Sequence, residues 1–162
     1  MKLGKSRSHL LIMLFAVSSL LVHVPSNAYA AADTWTDATT TNVSATTMRG
    51  VSMSDANNGV AVGSGGTIVY TSDGGDTWTA ATTTNVGGTT MRGVSMSDAN
   101  NGVAVGSGGT IVYTSDGGDN WTAATTTNVG TNNMYGVSMV DANNGVAVGK
   151  SGQIVYLSLI HI

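Results

Sequence analysis

The sequence contains no cysteine and no glutamate, and beyond residue 30 it contains no proline and no phenylalanine. Its three histidines are His9, His23 and His161, so residues 31–156 lack histidine as well, and they lack leucine. Without cysteine there is no disulfide staple and no thiol nucleophile. Without histidine, the Ser-His and Cys-His pairs and the usual zinc and copper ligands are gone too. Asp is the only carboxylate left, beside Ser, Thr, Tyr and Lys150. No catalytic residue, metal site or cofactor is expected from such a set, and the composition leans away from an enzyme. Basic residues are also scarce: six Lys and Arg stand against nine Asp, a formal charge of −3. Lys2, Lys5 and Arg7 sit at the extreme N-terminus, leaving only Arg49, Arg92 and Lys150 for the rest of the chain. Phosphate recognition runs on clustered Lys and Arg, so a nucleic-acid partner is excluded.

Residues 1–30 have the organisation of an export signal. Lys2, Lys5 and Arg7 form a positive start, Leu10 to Val24 is almost wholly apolar, and Pro25-Ser26-Asn27 breaks the run before Ala28-Tyr29-Ala30. This order predicts Sec-type export with cleavage after Ala30. The apolar run is shorter than the roughly 20 residues that span a bilayer, so no membrane insertion is expected after cleavage. The expected destination is the periplasm or the extracellular medium.

Three tryptophans, Trp35, Trp78 and Trp121, then recur at equal spacing, and the text between them repeats. The units are 35–77, 78–120 and 121–156. The first two differ only at Asp37/Ala80, Ser44/Gly87, Ala45/Gly88 and Thr77/Asn120. A period in the range of about 40–45 residues is the signature of propeller blades with four strands each. In the second unit the strands are expected at Met91–Met96, Val103–Val105, Thr110–Thr114 and Asn120–Ala123. They are separated by the hairpin signal Asn101-Gly102 and by turns at 106–109 and 115–119. Apolar character on both faces, as in Val103-Ala104-Val105, fits sheets packed between sheets. The fold class is therefore all-β: a β-propeller of four-stranded blades, with about three blades present and the ring incomplete. If Trp78 is buried between blades, its truncation to Ala should cost roughly 3–5 kcal/mol. The first residues, Asp33 to Thr36, read as a fourth strand that could complete the last blade beside Gln153–Tyr156.

The segment Thr71-Ser72-Asp73-Gly74-Gly75-Asp76-Thr77-Trp78, and its copy from Thr114 through Asp116 and Gly118 to Trp121, resemble the Asp-box or BNR motif. The longer pattern, Met91-Arg92-Gly93-Val94 through Asn101-Gly102-Val103-Ala104-Val105-Gly106 and on to the box, resembles the photosystem II stability and assembly factor family of propellers. The resemblance covers residues 33–156. It departs at Trp35, which keeps only the end of its box, and at Asn120, which stands in place of Thr. It implies a non-enzymatic scaffold for protein binding or assembly. Asp-box propellers also include sialidases and other glycosidases, so a piece of an extracellular carbohydrate-active enzyme is the alternative, and a repeat adhesin a further one. The ligand, protein or glycan, stays open.

Thr71, Asp73, Gly75 and Trp78, with Thr114, Asp116, Gly118 and Trp121, have a structural explanation: a short Asp at a tight turn accepts backbone N–H bonds while Trp folds beneath. Asp73/Asp76 and Asp116/Asp119 can also be read as acid/base pairs or calcium ligands, which three-residue spacing across a turn makes the weaker account. Asp55-Ala56-Asn57-Asn58-Gly59 lacks the bidentate Glu of a calcium loop and reads as a hairpin turn. The copies diverge instead before the first strand, at Arg49/Arg92/Tyr135, and at Ser64/Ser107/Lys150. In a four-stranded blade these places share one end, opposite the boxes. Arg49, Arg92, Tyr135 and Lys150 are therefore the candidate contacts of a ligand face, against the alternative of drift in exposed loops. After Tyr156 the repeat gives way to Leu157-Ser158-Leu159-Ile160-His161-Ile162, which is expected to be a non-native tail on a longer protein.

Overall fold

The structure, a computed structural model, describes residues 37–40, 43, 45–84, 86–126 and 129–158. The expected signal at 1–30, the strand at 33–36 with Trp35, and His161 lie outside them. Thirteen strands are described. The first sheet contains β1 (Thr39–Thr40), β2 (Met48–Met53), β3 (Gly59–Gly63), β4 (Ile68–Thr71) and β5 (Thr77–Ala80). The second contains β6 (Thr82–Thr83), β7 (Met91–Met96), β8 (Gly102–Gly106), β9 (Ile111–Thr114) and β10 (Asn120–Ala123). The third contains β11 (Met134–Met139), β12 (Asn144–Gly149) and β13 (Ile154–Ser158). Each sheet is an antiparallel meander from its innermost strand, β2, β7 or β11, outward, and forms one propeller blade.

Two details depart from the expected four-stranded unit. The connection leaving β5 lays Thr82–Thr83 in parallel on the outer edge of the next blade, pairing with Asn120 and Trp121. Thr39–Thr40 does the same to Thr77 and Trp78. Each complete blade thus carries a fifth, two-residue strap. In the third blade, β13 runs past Tyr156 to Ser158, with Leu157 buried where the other blades hold Thr71 and Thr114.

The first hairpin of each blade turns on an aspartate. Asp55 Oδ1 accepts the backbone N–H of Asn57 at 2.7 Å and of Asn58 at 2.9 Å, and Asp98 and Asp141 repeat this. The glycine of Asn-Gly is not the tip, contrary to the hairpin signal. Gly59, Gly102 and Gly145 already lie in strands, and a Cβ there would come within 2.4 Å of the sulfur of Met53, Met96 or Met139. Glycine at this place makes room for methionine packing.

Burial follows from the stacking of blades. Gly59–Gly63 and Gly102–Gly106 are buried along their whole length, and the second of these strands lies between two neighbouring blades. Val60, Val62 and Ile68 of the first blade form one cluster with Met91, Ala104 and Trp121 of the second. Val103, Val105 and Ile111 of the second meet Met134 and Ala147 of the third in another. Between the innermost strands, the Ser52 hydroxyl accepts the Met96 N–H at 3.0 Å, and Ser95 accepts that of Met139 at 3.0 Å. Trp121 is fully buried in the first of these interfaces, whereas Trp78 is only partly covered. The burial between blades expected for Trp78 is therefore met by Trp121, which packs in one cluster with Val60, Val62 and Ile68 of the first blade.

Candidate functional site

The two ends of the blades differ in charge. Backbone bonds join the Thr71–Trp78 turn to the first hairpin (Gly74 N–H to Asn57 O, 2.8 Å) and the Thr114–Trp121 turn to the second (Gly117 N–H to Asn100 O, 2.8 Å). One end of each complete blade therefore carries both of its aspartate turns: Asp55, Asp73 and Asp76, then Asp98, Asp116 and Asp119. Asp141 follows in the third. At the opposite end, the turn after the second strand bonds the loop before the first, Ser64 N–H to Thr47 O at 3.0 Å, Ser107 N–H to Thr90 O at 2.9 Å and Lys150 N–H to Asn133 O at 2.8 Å. Arg49, Arg92 and Lys150, the cations among the described residues, all belong to this second end.

At the acidic end the aspartates serve the turns. Asp73 accepts the Thr71 hydroxyl at 2.8 Å and the Thr77 N–H at 3.0 Å, and it also accepts the Thr77 hydroxyl. These bonds, that from the Thr77 hydroxyl first, lower its pKa to about 2. Asp116 is held likewise by Thr114 and Asn120, and its pKa falls although burial, the largest single influence, pushes it up. The indole N–H groups of Trp78 and Trp121 donate to Gly75 O at 3.0 Å and Gly118 O at 2.9 Å. A carboxylate saturated by its own turn has little left to offer a metal or a substrate, and no group able to hold a metal ion occurs among the described residues. Because the folded pKa values lie below the ordinary carboxylate range, this stabilisation is complete near neutrality and is lost as pH falls, from about 4 in the unfolded chain through about 2 for Asp73. Thermal melts followed by tryptophan fluorescence should show a falling midpoint over that window. Thr77→Val should weaken the dependence.

The basic end is built differently. In each innermost strand the pairing slips by one residue after the methionine, between Met48 and Gly50, Met91 and Gly93, and Met134 and Gly136. The extra residues are Arg49, Arg92 and Tyr135. A bulge re-aims its side chain away from the regular alternation, and such bulges are common beside binding sites. Arg49 Nε donates to Ser64 Oγ at 3.3 Å and Arg92 Nε to Ser107 Oγ at 3.1 Å, which fixes each guanidinium over the turn of its own blade. The Arg92 guanidinium also stands 5.3 Å from the centre of the Tyr135 ring, within cation–π range, and so links the second blade to the third. Asn133 Oδ1 accepts the Gly108 N–H at 3.0 Å across the same junction.

Three of the four expected contacts, Arg49, Arg92 and Tyr135, thus occupy the same bulge on successive blades, and Lys150 occupies the turn where the others have serine. The third blade has exchanged its pair together: Tyr replaces Arg in the strand, and Lys replaces Ser in the turn. Each blade keeps one cation at this end. Sequence reasoning found these positions but missed the bulges, which exist only in the pairing, and missed the charge separation. The latter was available, since all but two of the nine Asp fall in turn segments.

The comparisons accord with the fold. Residues 80–158, just under half of the chain, match the family model described as photosynthesis system II assembly factor YCF48. Among solved structures, YCF48 bound to D1 peptide is similar, with 24% identity over 68% of this chain and a TM-score of 0.62. YCF48 from Cyanidioschyzon merolae is similar with 17% identity over 73% of this chain and a TM-score of 0.59. At these identities the likeness establishes the propeller fold. The chain spans 37% and 39% of the lengths of those two proteins. Comparison with curated protein sequences gives no significant match. The chain is thus a β-propeller that resembles the photosystem II assembly factor family.

Proposed function

We propose that this chain is part of a non-enzymatic, exported propeller scaffold that binds a protein segment on its basic end, with Arg49, Arg92, Tyr135 and Lys150 as contacts. The observation that carries the reading is one cation per blade, held at a bulge or an adjoining turn, on the end opposite the aspartate turns. Guanidinium groups in a row favour carboxylates, which they meet in charge-assisted and often bidentate bonds. Tyr135 adds an exposed aromatic surface beside them. A peptide ligand is supported by the similar protein whose structure holds a D1 peptide. Export is supported by the signal-like order of residues 1–30, and the scaffold role by aspartates already committed to their own turns.

The test is fluorescence anisotropy with a D1 peptide and with peptides of matched length, rich in either Asp or Lys. The chain should bind the D1 and Asp-rich peptides, more weakly as salt rises. Arg92→Ala should cost about tenfold in affinity, the worth of one charge-assisted bond of about 1.4 kcal/mol. Asp119→Ala, at the other end, should leave affinity unchanged. Equal binding of acidic and basic peptides, or indifference to Arg92→Ala, would sink the proposal.

A further inference from the structure

The basic end holds its two arginines unequally, and both junctions that decide this lie among the described residues. Arg49 and Arg92 occupy the same bulge, and each donates its Nε–H to the serine of its own turn, at 3.3 Å and 3.1 Å. Arg49 is exposed, and its counterpart on the next blade is a second arginine. Arg92 is half-buried, and its counterpart on the next blade is Tyr135, whose ring centre lies 5.3 Å from the guanidinium.

The turn beneath Arg92 is fixed as well. Ser107, which takes the Nε–H, is followed by Gly108, and the Gly108 N–H is accepted by Asn133 Oδ1 at 3.0 Å. Asn133 stands in the loop entering the third blade, two residues before Tyr135, and its own carbonyl accepts the Lys150 N–H at 2.8 Å. The contacts close a circuit: Arg92 to Ser107, Gly108 to Asn133, and Tyr135 back to Arg92. At the first junction Thr90 takes the place of Asn133. Its hydroxyl is one atom nearer the backbone, and the described residues contain no counterpart there of the Asn133 to Gly108 bond.

We propose that Asn133 is a positioning residue for the Arg92 guanidinium, and that this makes the second junction the anchoring subsite for one ligand carboxylate; the inference rests on the basic end being the binding face. With Nε–H committed to Ser107, the two Nη groups of Arg92 are left to meet a carboxylate end-on, in a bidentate pair. A long side chain that is free before binding loses its rotamer freedom when the ligand docks, and one already held loses less. Arg92 is held by Ser107 and Tyr135 over a turn that Asn133 fastens, whereas Arg49 is held by Ser64 alone. Lys150, whose turn is tied to the same asparagine, brings a second cation to this junction.

The test is the exchange of arginine Nε–H protons with water, read by heteronuclear NMR on the full chain, beside anisotropy with the D1 and Asp-rich peptides. The chain has Arg7, Arg49 and Arg92, so Arg49→Lys and Arg92→Lys assign the signals. Without peptide, the Arg92 proton should exchange about tenfold more slowly than that of Arg49. Asn133→Ala leaves the Lys150 bond to the residue 133 carbonyl in place, so the loop stays attached. It should bring Arg92 to the Arg49 rate and weaken both peptides by about threefold to tenfold. Asn133→Asp, which keeps the accepting oxygen, should keep the slow exchange. Arg49→Ala should cost less affinity than Arg92→Ala, and an equal cost overturns the second junction as the anchor. Equal exchange of the two protons in the wild-type chain, or slow exchange retained in Asn133→Ala, overturns the positioning role. Weaker binding by Arg92→Ala with none by Asn133→Ala overturns it too, and leaves the binding face standing. Indifference of both peptides to Arg92→Ala removes the binding face itself, and the subsite with it.

Discussion

Trp121→Ala is expected to destabilise the propeller by about 3–5 kcal/mol, read from chemical denaturation, whereas Trp78→Ala should fall clearly below that range. The two indoles make the same hydrogen bond to a turn glycine and begin the same sequence, Trp-Thr-Ala. They differ in what lies over them. Trp121 is 1% exposed and shares a cluster with Val60, Val62 and Ile68 of the preceding blade. Beside it, a Cβ on Gly118 would come within 2.7 Å of Val60, which shows how closely the turn is pressed against that blade. Truncation leaves a cavity at the junction, and a relaxing turn can fill little of it. Because repeat arrays hold together by nearest-neighbour contacts, the loss should also broaden the transition, as the first blade separates from the second and third. Equal losses from the two substitutions would show that the indole stabilises only its own turn.

The second large effect is at Gly109. Its φ of 74° is left-handed, and a Cβ there would lie 2.1 Å from the carbonyl oxygen of Gly130, in the loop that enters the third blade. Left-handed backbone costs an L-residue about 1–2 kcal/mol, and forcing the loop away adds about 1–3 kcal/mol. Gly109→Ala should therefore destabilise by about 2–5 kcal/mol and expose Val129, which is fully buried under the same loop. The neighbouring Gly108→Ala is the control. Its φ is also positive, but nothing lies within 4 Å of the new Cβ. The chain has already performed this experiment in its third blade, where Ser151 occupies the equivalent place at φ 61°. Gly108→Ala is expected to stay within about 1–2 kcal/mol, the backbone cost alone. A comparable loss at both positions would mean that the conformation, and not the approach to Gly130, decides.

The strands of the second blade could be read almost residue by residue, Met91–Met96 and Asn120–Ala123 among them. Their β-branched and aromatic runs are short and bounded by Gly, Asn and Asp, so local chemistry and pairing agree. The straps could not be read. Thr82 and Thr83 stand in a run of threonines, and only their position against Asn120 and Trp121 makes them a strand. The unequal burial of Trp78 and Trp121 was equally hidden, because identical local sequence cannot state whether a neighbour precedes it. At the basic end, comparison of the copies picked out Arg49, Arg92, Tyr135 and Lys150. The slip in pairing that makes three of them bulges needs the facing strand, and no single segment records it.

The straps also bear on the order in which the chain can fold as it leaves the ribosome. Thr82–Thr83 emerges directly after the first blade is complete, yet its partner, β10, is the last strand of the second blade to be synthesised. Until then the strap has nothing to hold, and a loop containing the whole of the next meander must close before it docks. The strap between the first two blades is thus fastened only when β10, the final strand of the second, arrives. Nascent chains should acquire protection in blade-sized steps, with the strap threonines protected last in each step.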